Sequence, residues 1–156
     1  MTIIGVDPGV ATTGFGVVRK TKKGLQCLDY GVIQTKPGQS PEQRLRRLHL
    51  ELSKLLTKYK PRVLAVESVY FFKNLKTAIP VSEARGVILL AAAKKRIEVV
   101  QITPLQAKMG ICGYGRADKK QVQQMVKEIL KLNELPRPDD AADALAVALC
   151  CALLCS

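Results

Sequence analysis

Ile3-Ile4-Gly5-Val6-Asp7-Pro8-Gly9 is the stretch on which the fold turns. Its apolar residues make a short buried strand, and Pro8-Gly9 ends it in a turn. The strand closes on a carboxylate. A charge at the mouth of an apolar strand is costly unless something pairs with it. The next basic residue along the chain is Arg19, so Asp7 needs a distant partner or a cation. Val63-Leu64-Ala65-Val66-Glu67 repeats the pattern. It is a continuous apolar run, suited to a central strand covered on both faces, and it too ends on an acid.

Working outward, Thr13 to Arg19 and Leu25 to Thr35, parted by Gly24, join residues 2–7 in an antiparallel meander. Ser40-Pro41-Glu42 starts a helix, with Ser40 as N-cap and Pro41 at the first helical position. Leu45, Leu48, Leu52, Leu55 and Leu56 carry that helix to Tyr59 at helical spacing. A long segment to Arg96 contains Pro80 and Gly86, so its first turns are expected to be kinked or separate. Ile97 to Ile102 is a fifth strand. Thr103-Pro104 opens a short helix ending near Gly110, Asp118 to Leu132 forms another, and Pro136 and Pro138 lead into the last. The order predicts an α/β fold in one domain, residues 1–156: a mixed sheet flanked by helices.

Charge is the compositional outlier. Twenty-five Lys and Arg face thirteen Asp and Glu, a formal net charge of +12 on 156 residues. The basic residues come in short clusters along the whole chain, which favours a polyanionic partner, nucleic acid before an anionic membrane. A solvated basic surface without a specific partner is the plainer alternative. The cysteines are odd in number, five, and the only histidine is His49, which argues against a Cys/His zinc site. No secretory pattern precedes the first strand, so a reducing cytoplasm is expected, with cysteines acting as small core hydrophobes. The apolar run from Ala141 to Cys155 is short for a membrane span.

Asp140 and Asp143 share one face of the last helix. With Asp7 and Glu67 they could form a cluster of oxygen ligands from three elements, which would repel itself without cations. Such ligands suit Mg²⁺ or Mn²⁺. Two such ions about 4 Å apart can activate a water and stabilise the leaving oxygen of a phosphodiester. Three of the acids also have plainer explanations, and Asp7 has no good one. Asp140 and Asp143 could cap a helix and oppose its dipole, although Asp139 could cap instead and free Asp140. Glu67 could sit in a buried ion pair.

Ile4-Gly5-Val6-Asp7-Pro8-Gly9, Val66-Glu67-Ser68-Val69-Tyr70 and Asp139-Asp140-Ala141-Ala142-Asp143-Ala144-Leu145-Ala146 together resemble the signatures of the RuvC family of Holliday junction resolvases. Glu83 to Val87 and Gly113 to Gln123 are similar as well. The resemblance runs from residue 2 to about 150. It implies an RNase H-like fold, with a five-stranded mixed sheet and helices on both sides. It implies a homodimer that nicks a four-way DNA junction at symmetric points with metal-activated water, leaving 5′-phosphate and 3′-hydroxyl ends. By the same resemblance Asp7, Glu67, Asp140 and Asp143 hold two Mg²⁺ ions, with Mn²⁺ as substitute, and a branch-migration helicase complex of the RuvA and RuvB type is a partner.

Lys108 and Lys119 match basic positions near the family's catalytic centre, where a lysine can hold the scissile phosphate. Tyr70 matches an aromatic placed against junction bases. Phe71, Phe72, Lys73, Lys76, Arg116 and Lys120 are further candidate DNA contacts. Arg44, Arg47, Lys94, Lys95 and Arg96 are better suited to phosphates than to bases. Other readings remain: an actin-like ATPase, from Asp7-x-Gly9 and Thr12-Thr13-Gly14; a related ribosomal-RNA-processing nuclease; and a junction-binding module with a dead site.

Overall fold

The computed structural model describes residues 1–9, 11–68 and 75–155. The elements run β1 (Thr2–Asp7), β2 (Thr12–Thr21), β3 (Gly24–Gln34), α1 (Pro41–Tyr59), β4 (Val63–Glu67), α2 (Leu75–Lys94), β5 (Glu98–Ile102), α3 (Pro104–Cys112), α4 (Lys119–Ile129) and α5 (Asp139–Leu154). The sheet has five strands in the order β3-β2-β1-β4-β5. The first three strands form the expected antiparallel meander, and β4 and β5 add parallel to β1.

Alternation along the strands assigns the faces. Ile4, Val6, Leu64 and Val66 point to one side and pack with Leu48, Leu52 and Leu56 of α1 and Ile88 of α2. Ile3, Val63 and Ala65 point to the other, against Leu145 and Leu149 of α5 and Val126 of α4. Since side chains alternate with period two, Asp7 and Glu67 continue the α5 side.

Local chemistry sets the helix starts. Ser40, Thr103 and Asp118 each accept a hydrogen bond from the backbone N–H three residues on, and the side-chain oxygens of Gln43, Gln106 and Gln121 accept one from the cap residue's own N–H. α2 departs from expectation. It is one helix from Leu75 to Lys94 with Pro80 inside it, not two separate pieces. Pro80 lies near the start of α2, where the ring interrupts the hydrogen-bond ladder at one point while the downstream turns stay packed through Ala84, Ile88, Ala91 and Ala92. α4 ends at Ile129, three residues before the expected Leu132, because Lys131 turns into the left-handed region with φ 54°.

α5 is buried from Ala141 to Ala152 except at Asp143, sandwiched between the sheet and α3 with α4. It lies directly on backbone. A Cβ on Gly5 would run into the Ala144 carbonyl, one on Gly14 into the Asp140 carbonyl, and one on Gly16 into Leu145. These glycines let the helix touch β1 and β2 at a separation that no side chain would permit. The five cysteines are free, with Cys150 and Cys151 buried in this layer.

Candidate functional site

β1 and β4 are neighbours, with Val6 opposite Val66, so their terminal acids emerge side by side. Carboxyl ends of parallel strands are where an α/β sheet leaves room for a ligand. α5 brings its first turn to the same end, because Gly14 is the ladder partner of Asp7 and lies beneath the Asp140 carbonyl. One carboxylate oxygen from each of Asp7, Asp140 and Asp143 lies within 4.8 Å of the other two. Glu67 adjoins this trio through a hydrogen bond with Asp7. Three of the four predicted acids therefore meet at one point, and Glu67 joins them through Asp7.

The electrostatics are those of a site short of positive charge. Burial, helped by Glu67, Asp143 and Asp140, pushes the Asp7 carboxyl up to about 9. Burial also raises Glu67, although its bond with Asp7 and the nearby Lys119 and Lys108 pull the other way. The pair is best described as sharing a proton, with Asp7 donating and Glu67 accepting. Burial raises Asp143 too, against the pull of Lys119. An all-oxygen donor set that holds protons this tightly suits a hard divalent cation in their place.

Lys119 stands at the mouth. Its Nζ lies 3.4 Å from Asp143 Oδ2 and 3.4 Å from Asp139 Oδ2. Burial lowers its pKa, but Asp143 and Asp139 outweigh that and raise it. Lys108, Lys119, Glu67 and Asp143 line one cleft. Arg116 and Lys120 are exposed beside it on the α3–α4 connection and α4, and Lys76 is exposed in the first turn of α2. Tyr70, Phe71, Phe72 and Lys73 lie outside the described residues.

Asp139 does not cap α5. Pro138 is the N-cap residue and no side chain caps it. Asp139 is the first residue inside the helix, and its carboxylate is engaged elsewhere. It accepts a hydrogen bond from Gln123 Nε2 at 3.0 Å and pairs with Lys119, and these partners hold its pKa down. Lys119 and Gln123, one turn apart on α4, thus tie α4 to the first turn of α5. The sequence marks Lys119 as a phosphate contact and Asp139 as a possible cap, and nothing in it pairs the two.

A mixed five-stranded sheet with acids at the ends of β1 and β4, and more from the last helix, defines an RNase H-like nuclease. The chain belongs to the RuvC family of crossover junction endodeoxyribonucleases, whose profile matches residues 3–151. It is 49% identical over 150 residues to the crossover junction endodeoxyribonuclease RuvC of Natranaerobius thermophilus, a match covering 96% of this chain and 93% of that one. Its fold superimposes on the structure of Thermus thermophilus RuvC with a TM-score of 0.92 at 36% identity, covering 98% of this chain and 94% of the other. T. thermophilus RuvC in complex with Holliday junction substrate matches with a TM-score of 0.90 at 33% identity, over 98% and 94% of the two chains. Among the described residues no helix is long and apolar enough to cross a membrane.

Proposed function

We propose that this chain resolves four-way DNA junctions by paired, symmetric nicks, with Asp7, Glu67, Asp140 and Asp143 as the metal-holding acids. The observation that carries the reading is the close approach of Asp7, Asp140 and Asp143 in a protein of net charge +12. Two Mg²⁺ ions, or Mn²⁺ in their place, would supply Lewis-acid activation of water and charge neutralisation at the leaving oxygen. The chain's own residues do the rest. The four acids hold the cations in place of the shared proton. Lys119 orients Asp143 and Asp139, and Lys108 faces the cleft where a backbone phosphate would enter. Basic residues around the cleft neutralise phosphates on the flanking DNA. Products with 5′-phosphate and 3′-hydroxyl ends, a branch-migration helicase partner of the RuvA and RuvB type, and a cytoplasmic location belong to the same proposal.

The test is a labelled synthetic four-way junction incubated with Mg²⁺ beside a linear duplex of the same sequence. Selective cutting of the junction at symmetric positions is expected. Equal cutting of both substrates would sink the reading. A finer comparison separates the adjacent acids of α5. Asp140→Asn should slow cutting by about 100-fold or more, because it removes a ligand from the cluster. Asp139→Asn should slow it by less than about fivefold, since an exposed ion pair contributes little. Equal losses would mean that the Lys119 clamp is as important as the cluster.

A dimer with two-fold symmetry matches a junction with two-fold symmetry. α2 supports this proposal with an unused face. Ile79, Ser82, Glu83, Gly86, Leu90 and Ala93 are exposed along it. Ile79 is 71% and Leu90 54% exposed, and a Cβ on Gly86 would meet nothing within 4 Å. A helical glycine that its own fold does not need suits the close approach of a second helix. Leu90→Glu is expected to convert a dimer into a folded monomer in sedimentation analysis, and to turn paired nicks into single ones. A variant that remains dimeric would move the interface elsewhere.

A further inference from the structure

α3 turns an apolar edge outward beside the cleft. Leu105 is 59% exposed, Met109 49% and Tyr114 44%. Leu105 and Met109 are one turn apart and lie on one strip of the helix. Lys108, between them in sequence, lines the cleft with Glu67, Lys119 and Asp143. The core contacts of α3 are made by Ala107 and Ile111 instead.

The loop after α3 is pinned to this edge. Gly113 closes the helix in the left-handed region with φ 82°, and its N–H donates to the Met109 carbonyl at 3.0 Å. Gly115 lies so close to Leu105 that a Cβ there would collide with Leu105 Cδ1, and it would sit 3.7 Å from Met109 Sδ. Tyr114 is therefore carried between two glycines on a loop fixed at both sides. Its exposure reflects placement rather than a free terminus.

Charge names the occupant. Lys108 lies between Leu105 and Met109 in sequence, Arg116, Lys119 and Lys120 follow Tyr114 within six residues, and Asp118, the acid nearest in sequence, is committed to capping α4 through the Gln121 N–H. An apolar strip with a basic border fits a ligand with flat apolar faces on a negative backbone. A strand of DNA entering the cleft has both.

We propose that Leu105, Met109 and Tyr114 form a shelf that takes up an unstacked base next to the phosphate being cut. This rests on the nuclease reading above and adds a positioning contact to it. Lysines hold the phosphate as a point charge, which leaves rotation of the nucleotide free. A base resting on the shelf removes that freedom and aligns the phosphate with the acids.

The experiment places 2-aminopurine beside the cleavage point of a synthetic junction and follows its fluorescence on binding with Ca²⁺ in place of Mg²⁺. The parent chain should change the signal. Tyr114→Ala, and separately a Leu105→Ser/Met109→Ser double variant, should abolish most of that change. Both should slow Mg²⁺-dependent cutting at saturating junction by roughly 10-fold, the scale of one lost stacking contact. Junction affinity should fall by less than about threefold, because in the bound ground state the cost of unstacking the base offsets the contact it gains on the shelf. Tyr114→Phe should behave like the parent, and circular dichroism confirms that the exposed substitutions leave the fold intact. Parental cutting and an unchanged 2-aminopurine signal in both variants would overturn the shelf and leave that patch to a protein partner. Failure of the parent itself to cut the junction would instead overturn the nuclease reading.

Discussion

Asp7→Asn should lower junction cutting with Mg²⁺ by at least about 10³-fold, while junction affinity measured with Ca²⁺ changes by less than about threefold. The asymmetry follows from where Asp7 sits. It is at the centre of the carboxylate group, in contact with Glu67 and near Asp140 and Asp143, and an acid there would hold cations rather than bind the DNA phosphates itself. The same substitution should stabilise the metal-free protein. In the fold, burial and then Glu67 push the Asp7 carboxyl from its ordinary 3.8 up to about 9. Between those values the folded chain binds more protons than the unfolded one, so stability falls as pH rises through that window. Asparagine cannot ionise, so Asp7→Asn should flatten the slope. At about pH 8 a gain on the order of 1 kcal/mol would raise the melting temperature by roughly 2–4 °C. Adding Mg²⁺ should stabilise the parent more than the variant. Loss of junction binding in step with cutting, or an unchanged slope, would contradict this account of the site.

Gly14→Ala should disable the enzyme without touching an acid. Its added methyl would run into the Asp140 carbonyl and come within 3.1 Å of the Ala141 nitrogen. These are backbone atoms of a helix pinned on its far side by α3 and α4, so no side chain can rotate away. The first turn of α5 must lift, and Asp140 and Asp143 move with it. Overpacking of this kind costs about 1–3 kcal/mol, which lowers the melting temperature by roughly 3–10 °C in a chain of this size. Cutting should fall by about 100-fold, since small displacements of reacting groups are expensive. A Gly14→Ala protein with parental melting and cutting would mean that α5 is not seated on β2 in solution.

Much of this site could be read along the chain. Ile3-Ile4-Gly5-Val6-Asp7 and Val63-Leu64-Ala65-Val66-Glu67 each end an apolar run on an acid, and burial makes such a charge stand out. Asp140 and Asp143 were legible as a pair because helical spacing puts them on one face. The clamp from Lys119 and Gln123 to Asp139 was not legible. It depends on how α4 lies across the start of α5, and nothing local records that angle. Asp139 consequently reads as a cap, whereas Pro138 takes the N-cap position and Asp139 bonds to α4. Pro80 misled in the opposite direction: a local rule argued for a break, and packing of the downstream turns keeps α2 whole.

By itself the sequence determined the elements, their order, the excess of basic charge and the identity of the acids, because periodicity, capping and the cost of a buried charge act over a few residues. Only the tertiary structure decided that Asp7, Asp140 and Asp143 lie within 4.8 Å of one another. That distance is set by strand register and by the glycines on which α5 rests. Convergence is a property of close packing between segments far apart in the chain, and such packing is felt through contact rather than through neighbouring residues.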